Sequence, residues 1–187
     1  MNKKTLTLTT DQYSEIIKTM REGFTGCRPN DRVATALVIE GNLGIRVSDV
    51  VRLRLADIVR DGNRYRLDIV EKKTGKRRSF TVPAQIFIYL DNYALHHGIG
   101  ANDRLFAITT RQIQKTLAAV CDHLGYEGIS THSFRKWYAT EIYNHNGHDI
   151  ALVQRLLQHA SAATTQRYLG IEPEKIEAAI NNHAMLL

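Results

Sequence analysis

The apolar residues of this chain keep helical spacing almost throughout, and change period in one place only. Behind Thr9 or Thr10 as a cap, Tyr13, Ile16, Ile17 and Met20 fall at i, i+3, i+4 and i+7. A second, mostly apolar helix reads from Asp31 to Gly41; Gly41 and Gly44 then break the chain, and Ser48 opens a short helix through Leu53. The period then switches to two. Tyr65, Leu67 and Ile69 alternate with Arg64, Arg66 and Asp68, the pattern of a half-buried strand. Phe80 and Val82 mark its partner, and Lys72-Lys73-Thr74-Gly75-Lys76-Arg77 makes a basic hairpin tip. Pro83 ends that strand and suits the first turn of a helix from Ala84 to His97, stopped by Gly98. Ile113, Leu117, Val120, Cys121 and Leu124 mark an amphipathic helix closed by Gly125. Further helices read at His132–Tyr143, Asp149–Gln158, Ala162–Leu169 and Glu174–Asn182. The expected fold is mainly α with one small antiparallel β-sheet (α+β).

Composition narrows the class. With 187 residues and 43% hydrophobic content, the chain reads as one domain, 1–187, able to bury a real core. Twenty-five Lys+Arg against 19 Asp+Glu leave a formal charge of +6, which favours polyanionic partners such as nucleic acid. The apolar run around Val33–Ile39 is far too short to span a bilayer, and the Met1-Asn2-Lys3-Lys4 start lacks a signal peptide's apolar core. Cys27 and Cys121 stand in no metal-ligand spacing. His145 and His148 could be read as metal ligands, but no third His partner stands at helical spacing, so no metal site is expected. A cytoplasmic protein fits, with no membrane partner.

Three segments could carry chemistry. In Gly44-Ile45-Arg46-Val47-Ser48-Asp49, an arginine stands just before a helix, beside N–H groups that can hold an oxyanion. The plainer reading is a surface arginine paired with Asp49 or Asp57. In Thr131-His132-Ser133-Phe134-Arg135, a helix puts His132 and Arg135 on one face, joining a proton-transfer group to a guanidinium fork; a half-buried structural histidine is the alternative. In Gln158-His159 and Thr164-Thr165-Gln166-Arg167-Tyr168, the tyrosine lies nine residues after a histidine on a short helix, where packing is its commonest use.

Taken in order, Arg46, the basic hairpin, His132-x-x-Arg135, His159 and Tyr168 resemble the catalytic signature of the tyrosine recombinases, the phage-integrase family. The likeness runs from about Thr10 to Ile180 and implies that family's catalytic-domain fold. Gly-Ile-Arg-Val-Ser-Asp looks like its first arginine box, and Leu-Leu-Gln-His followed by Thr-Thr-x-x-Tyr like its C-terminal box. Three positions depart from the family pattern: Gln158 where Gly is common, Lys136 where His is frequent, and Gly170 where a His often stands. None removes a catalytic group.

The resemblance implies site-specific DNA strand cleavage and rejoining, without metal, ATP or other cofactor. Tyr168 is the implied nucleophile, leaving a 3′-phosphotyrosine and a free 5′-hydroxyl. Arg46 and Arg135 would clamp the non-bridging oxygens. A hairpin lysine protonates the leaving group in this family; Lys73 is the best match, with Lys72 and Lys76 close by. His132 would exchange the tyrosine's proton, His159 would hydrogen-bond a non-bridging oxygen, and Asp49 would orient its neighbours. Lys72, Lys73, Lys76, Arg77 and Lys136, with the two arginines, are the expected contacts to double-stranded DNA. A type IB topoisomerase-like activity, or a non-catalytic DNA-binding regulator on the same fold, are the alternatives. Relative to full-length family members the N-terminal DNA-gripping domain is expected to be absent, as in an excised fragment or a short single-domain recombinase. Self-association on DNA, as dimer or tetramer, could run through the C-terminal helix 172–187; packing of that helix on its own domain is the equal alternative.

Overall fold

A computed structural model describes residues 5–170; the expected helix Glu174–Asn182 and the proposed exchange segment 172–187 lie outside them. The helices are α1 (Thr10–Glu22), α2 (Asp31–Leu43), α3 (Val47–Val50), α4 (Ala84–His96), α5 (Thr110–Leu124), α6 (Thr131–His145), α7 (Ile150–Leu157) and α8 (Ala162–Leu169). Between α3 and α4 run β1 (Ile58–Asp61), β2 (Arg64–Val70) and β3 (Arg77–Val82), an antiparallel sheet in the order β1-β2-β3. The α+β expectation holds.

Cap chemistry explains the ends. Thr9 with Gln12, and Thr109 with Gln112, form reciprocal capping boxes that satisfy the orphan amides of α1 and α5. Gly44 closes α2 in the left-handed conformation, φ +56°, a geometry a Cβ would strain. Gly41, expected as a break, lies inside α2 instead. A Cβ there would sit 3.1 Å from Tyr13 Cε2 and 3.5 Å from the Trp137 ring. Tyr13 and Trp137 stack at 4.2 Å over that backbone, so this glycine serves close packing rather than helix termination.

β1 is the element that periodicity missed. Only Ile58 of its four residues is buried, too little to show alternation. Gly62-Asn63 forms the two-residue loop into β2, with Gly62 supplying the positive φ of +61° such loops need. In register, Ile58 faces Leu67, which faces Phe80 on β3.

The chain divides into two compact units, Met1–Trp137 and Tyr138–Leu187. In the first, Ile16, Met20, Leu37, Ile39, Phe106, Ile113, Leu117 and Phe134 are essentially inaccessible. At about 1.5–3 kcal/mol per fully buried large apolar side chain, this core outweighs any surface ion pair. In the second, Ala139, Val153 and Leu157 are buried, with Tyr138, Ile142, Tyr143, Tyr168 and Leu169 packed round them.

Candidate active site

Arg46 stands in extended backbone, φ −74° and ψ 146°, between the Gly44 turn and α3. Its Nη1 donates to Glu71 Oε2 at 2.5 Å, and its side chain is 18% exposed. Neither carboxylate weighed from sequence takes it. Asp49 Oδ1 instead accepts the Lys72 N–H at 2.8 Å, and Asp57 Oδ2 accepts the Arg54 N–H at 2.8 Å. Glu71 was missed by sequence reasoning. Its one signal was to be the lone acid beside the run Lys72–Arg78.

The Glu71 carboxylate is 1% exposed and takes three donors: Arg46, Thr74 Oγ1 at 2.8 Å, and Arg78 Nη1 at 3.5 Å. Burial alone would raise its pKa. The hydrogen bonds from Thr74 and Arg46, with the charges of Arg46 and Arg78, more than offset that and hold it below the ordinary carboxylate value. Arg78, 2% exposed, also donates to the Gly44 carbonyl (3.2 Å) and the Leu43 carbonyl (3.4 Å), and its guanidinium lies 4.7 Å over the Phe80 ring. Arg135 is 1% exposed, and its Nη1 donates to the same Gly44 carbonyl at 2.6 Å. That carbonyl, exposed by the left-handed cap, is thus a shared seat for two guanidiniums.

Lys73 lies exposed in the turn between β2 and β3. The turn is closed by Gly75 N–H on the Glu71 carbonyl (2.9 Å) and Glu71 N–H on the Lys76 carbonyl (3.0 Å). Lys72 and Lys76 are exposed as well, whereas Arg77 is engaged in a two-point pair with Asp68. Lys136 is half-buried and donates to the Thr5 carbonyl at 2.8 Å.

His132 occupies the first turn of α6 with part of its ring in solvent. Crowding by surrounding atoms lowers its pKa below the ordinary 6.5, and the charges of Arg135, Arg46, Lys73 and Lys136, in that order, lower it further. Four of the six expected catalytic groups, Arg46, Lys73, His132 and Arg135, therefore share one electrostatic neighbourhood within the first unit.

The second unit carries the other two. His159 and Tyr168 meet edge to face with ring centroids 5.1 Å apart. His159 Nδ1 shares a hydrogen bond of 3.1 Å with Thr165 Oγ1, and Tyr168 is half-buried against the cluster of Ala139, Val153 and Leu157. Gln158, at the position where the family pattern has glycine, caps α7 in the left-handed conformation at φ +54°. The preference there is conformational, and Gln158 bears the strain that a glycine would avoid.

Residues 7–175 match the phage integrase family. The chain belongs to that family. It is 31% identical over 146 residues to the probable integrase/recombinase YoeC of Bacillus subtilis, covering 74% of this chain and 77% of that protein. It is 28% identical to the tyrosine recombinase XerC of Caldanaerobacter subterraneus, spanning 77% of this chain but 42% of the relative, and 29% identical to XerD of Rickettsia conorii, spanning 76% and 53%. The integrase-family chain thus spans about half the length of its Xer relatives. Among solved structures, the catalytic domain of bacteriophage HP1 integrase superposes with a TM-score of 0.66 over 96% of each chain, at 18% identity. XerH bound to its difH substrate superposes with a TM-score of 0.70 over 96% of this chain and 55% of that one, at 22% identity. Both establish the tyrosine-recombinase catalytic-domain fold. Among the described residues no helix is long and apolar enough to cross a membrane.

Proposed function

We infer that this chain is the catalytic domain of a site-specific DNA recombinase, acting in the cytoplasm on double-stranded DNA through a covalent 3′-phosphotyrosine at Tyr168. The observation that carries this reading is the gathering of the Arg46, Lys73, Arg135 and Lys136 charges around His132. Such a cluster repels itself in the free protein and is relieved by a phosphate diester, so it suits a site built for that anion.

In the reaction, the Tyr168 phenolic oxygen attacks the scissile phosphorus, forming the O–P bond while the bond to the deoxyribose 5′-oxygen breaks. His132, held neutral near pH 7 by its depressed pKa, accepts the phenolic proton. Lys73 delivers a proton to the departing 5′-oxygen. Arg46 and Arg135 clamp the non-bridging oxygens, where charge grows in the transition state. His159, its ring oriented by the hydrogen bond it shares with Thr165 Oγ1, hydrogen-bonds a non-bridging oxygen. Asp49, by accepting the Lys72 N–H, orients the turn that bears Lys73. Lys72, Lys76, Arg77 and Lys136 contact flanking phosphates, which makes affinity strongly salt-dependent. On DNA the protein self-associates, with 172–187 as the candidate exchange segment.

A nicked suicide duplex tests the reading. Cleavage lets the short 5′-hydroxyl fragment diffuse away and traps the covalent adduct, visible as a denaturant-resistant band. Wild type should accumulate the adduct, and Tyr168→Phe should accumulate none. An adduct that survives the Phe substitution, or none from wild type, defeats the assignment.

A further inference from the structure

The buried Glu71 carboxylate has no role in the chemistry above, yet it is the hub of the first unit's polar groups. Its Oε2 accepts from Arg46 Nη1 at 2.5 Å and from Thr74 Oγ1 at 2.8 Å; its Oε1 faces Arg78 Nη1 at 3.5 Å. Its own backbone N–H and C=O close the turn around Lys73, at 3.0 and 2.9 Å. One residue thereby grips the phosphate clamp with its side chain and the general-acid turn with both side chain and backbone.

An exposed five-residue turn carrying two further lysines has little reason to hold one ammonium still. Lys73 is exposed, and Lys72 and Lys76 repel it. A general acid must nevertheless arrive within hydrogen-bond reach of the leaving oxygen, and an error near 1 Å can cost about 100-fold. The Thr74 hydroxyl, on the residue next to Lys73, is where the side-chain tether attaches. The tether's other end is Arg46, the group that fixes the phosphate. The Glu71 contact uses Nη1 of Arg46; no other hydrogen bond to that guanidinium is formed among the described residues, which leaves its opposite edge for a phosphate oxygen.

We propose that Glu71 is a positioning residue that ties the Lys73 turn to Arg46, so that the acid and the phosphate clamp keep a fixed separation. It touches neither DNA nor the reacting atoms. Arg78, seated on the Gly44 carbonyl beside Arg135, steadies the same carboxylate from behind. This inference rests on the recombinase reading.

The test is single-turnover cleavage of two suicide duplexes, one with the natural 5′-oxygen at the scissile bond and one with a bridging 5′-sulfur. A thiolate leaves without being protonated, so the sulfur substrate does not need Lys73. Glu71→Gln keeps the shape and loses the charge; Thr74→Val removes the hydroxyl that donates to Glu71 and accepts the Lys76 N–H at 3.3 Å, loosening the same turn without touching the buried carboxylate, and so remains informative if Glu71→Gln proves unstable. On the oxygen substrate the Gln variant should be slower by about 10- to 100-fold and the Val variant by about 3- to 10-fold, with duplex affinity within about threefold of wild type. On the sulfur substrate each deficit should shrink to within about threefold. A deficit equal on both substrates, or no deficit, overturns the inference while wild-type adduct formation leaves the recombinase reading standing. No wild-type adduct overturns both.

Discussion

Glu40 offers a sharp test of the electrostatics beneath the site. It lies inside α2, fully buried, and its carboxyl faces the Arg135 guanidinium and the Val47 amide, which approaches without closing a hydrogen bond of normal geometry. Burial pushes its pKa well above the ordinary 4.5, and the Arg135 charge and the Val47 amide oppose only part of that rise. The folded protein therefore keeps a proton on Glu40 at pH values where the unfolded chain has released it. With the folded pKa raised, the stabilising contribution is complete below about 4.5 and is lost as pH climbs toward the folded value. One retained proton costs about 1.4 kcal/mol per pH unit in that window. For a chain of this size about 1 kcal/mol moves the melting temperature by about 2–4 °C, so the slope amounts to ~3–6 °C per pH unit. Glu40→Gln copies the shape of the protonated carboxyl and does not titrate. Melting curves of both proteins from pH 5 to 8 should therefore diverge in favour of the variant as pH rises, and level off once the folded pKa is passed. Parallel curves would mean that Glu40 ionises in the folded state as readily as in the unfolded one, with the Arg135 attraction matching the cost of burial.

Two further expectations bear on the two units separately. Because cations and crowding depress the His132 pKa, the acid limb of the cleavage rate should fall with a midpoint below 6.5, since only the neutral ring accepts the phenolic proton; a single-turnover pH series checks it, and a midpoint above 6.5 contradicts the proton-acceptor role. Gln158→Gly should relieve the left-handed strain at the end of α7 and stabilise the protein by about 1 kcal/mol in denaturant titration; a clear loss of stability would mean that side-chain contacts of Gln158 outweigh the backbone strain.

What could be read from sequence, and what could not, follows from the range of the interactions. α1, α5 and α8 were legible because cap, spacing and stop residue all lie within one element. Gly41 misled because its cost to a helix is local, whereas its reason, the rings of Tyr13 and Trp137 crossing its face, is not. β1 escaped because four residues with one buried member carry no period. The same divide runs through the site. Arg46, His132, Arg135, His159 and Tyr168 stood out as chemically capable groups in ordered boxes, but Glu71 looked like one more surface acid until the fold brought Arg46, 25 residues away, onto it. Likewise Gly44 was readable as a break, while its carbonyl's use was not: the donors that share it, Arg78 and Arg135, come from 34 and 91 residues further along the chain. Groups that do chemistry are conspicuous because few other uses explain them in that order. Groups that only hold them are ordinary in type, and become conspicuous when burial forces each of their charges to find a partner. In this family member such holders include a carboxylate and a carbonyl, and perturbing them should alter rate more than binding, because they set where the cations stand rather than how many there are.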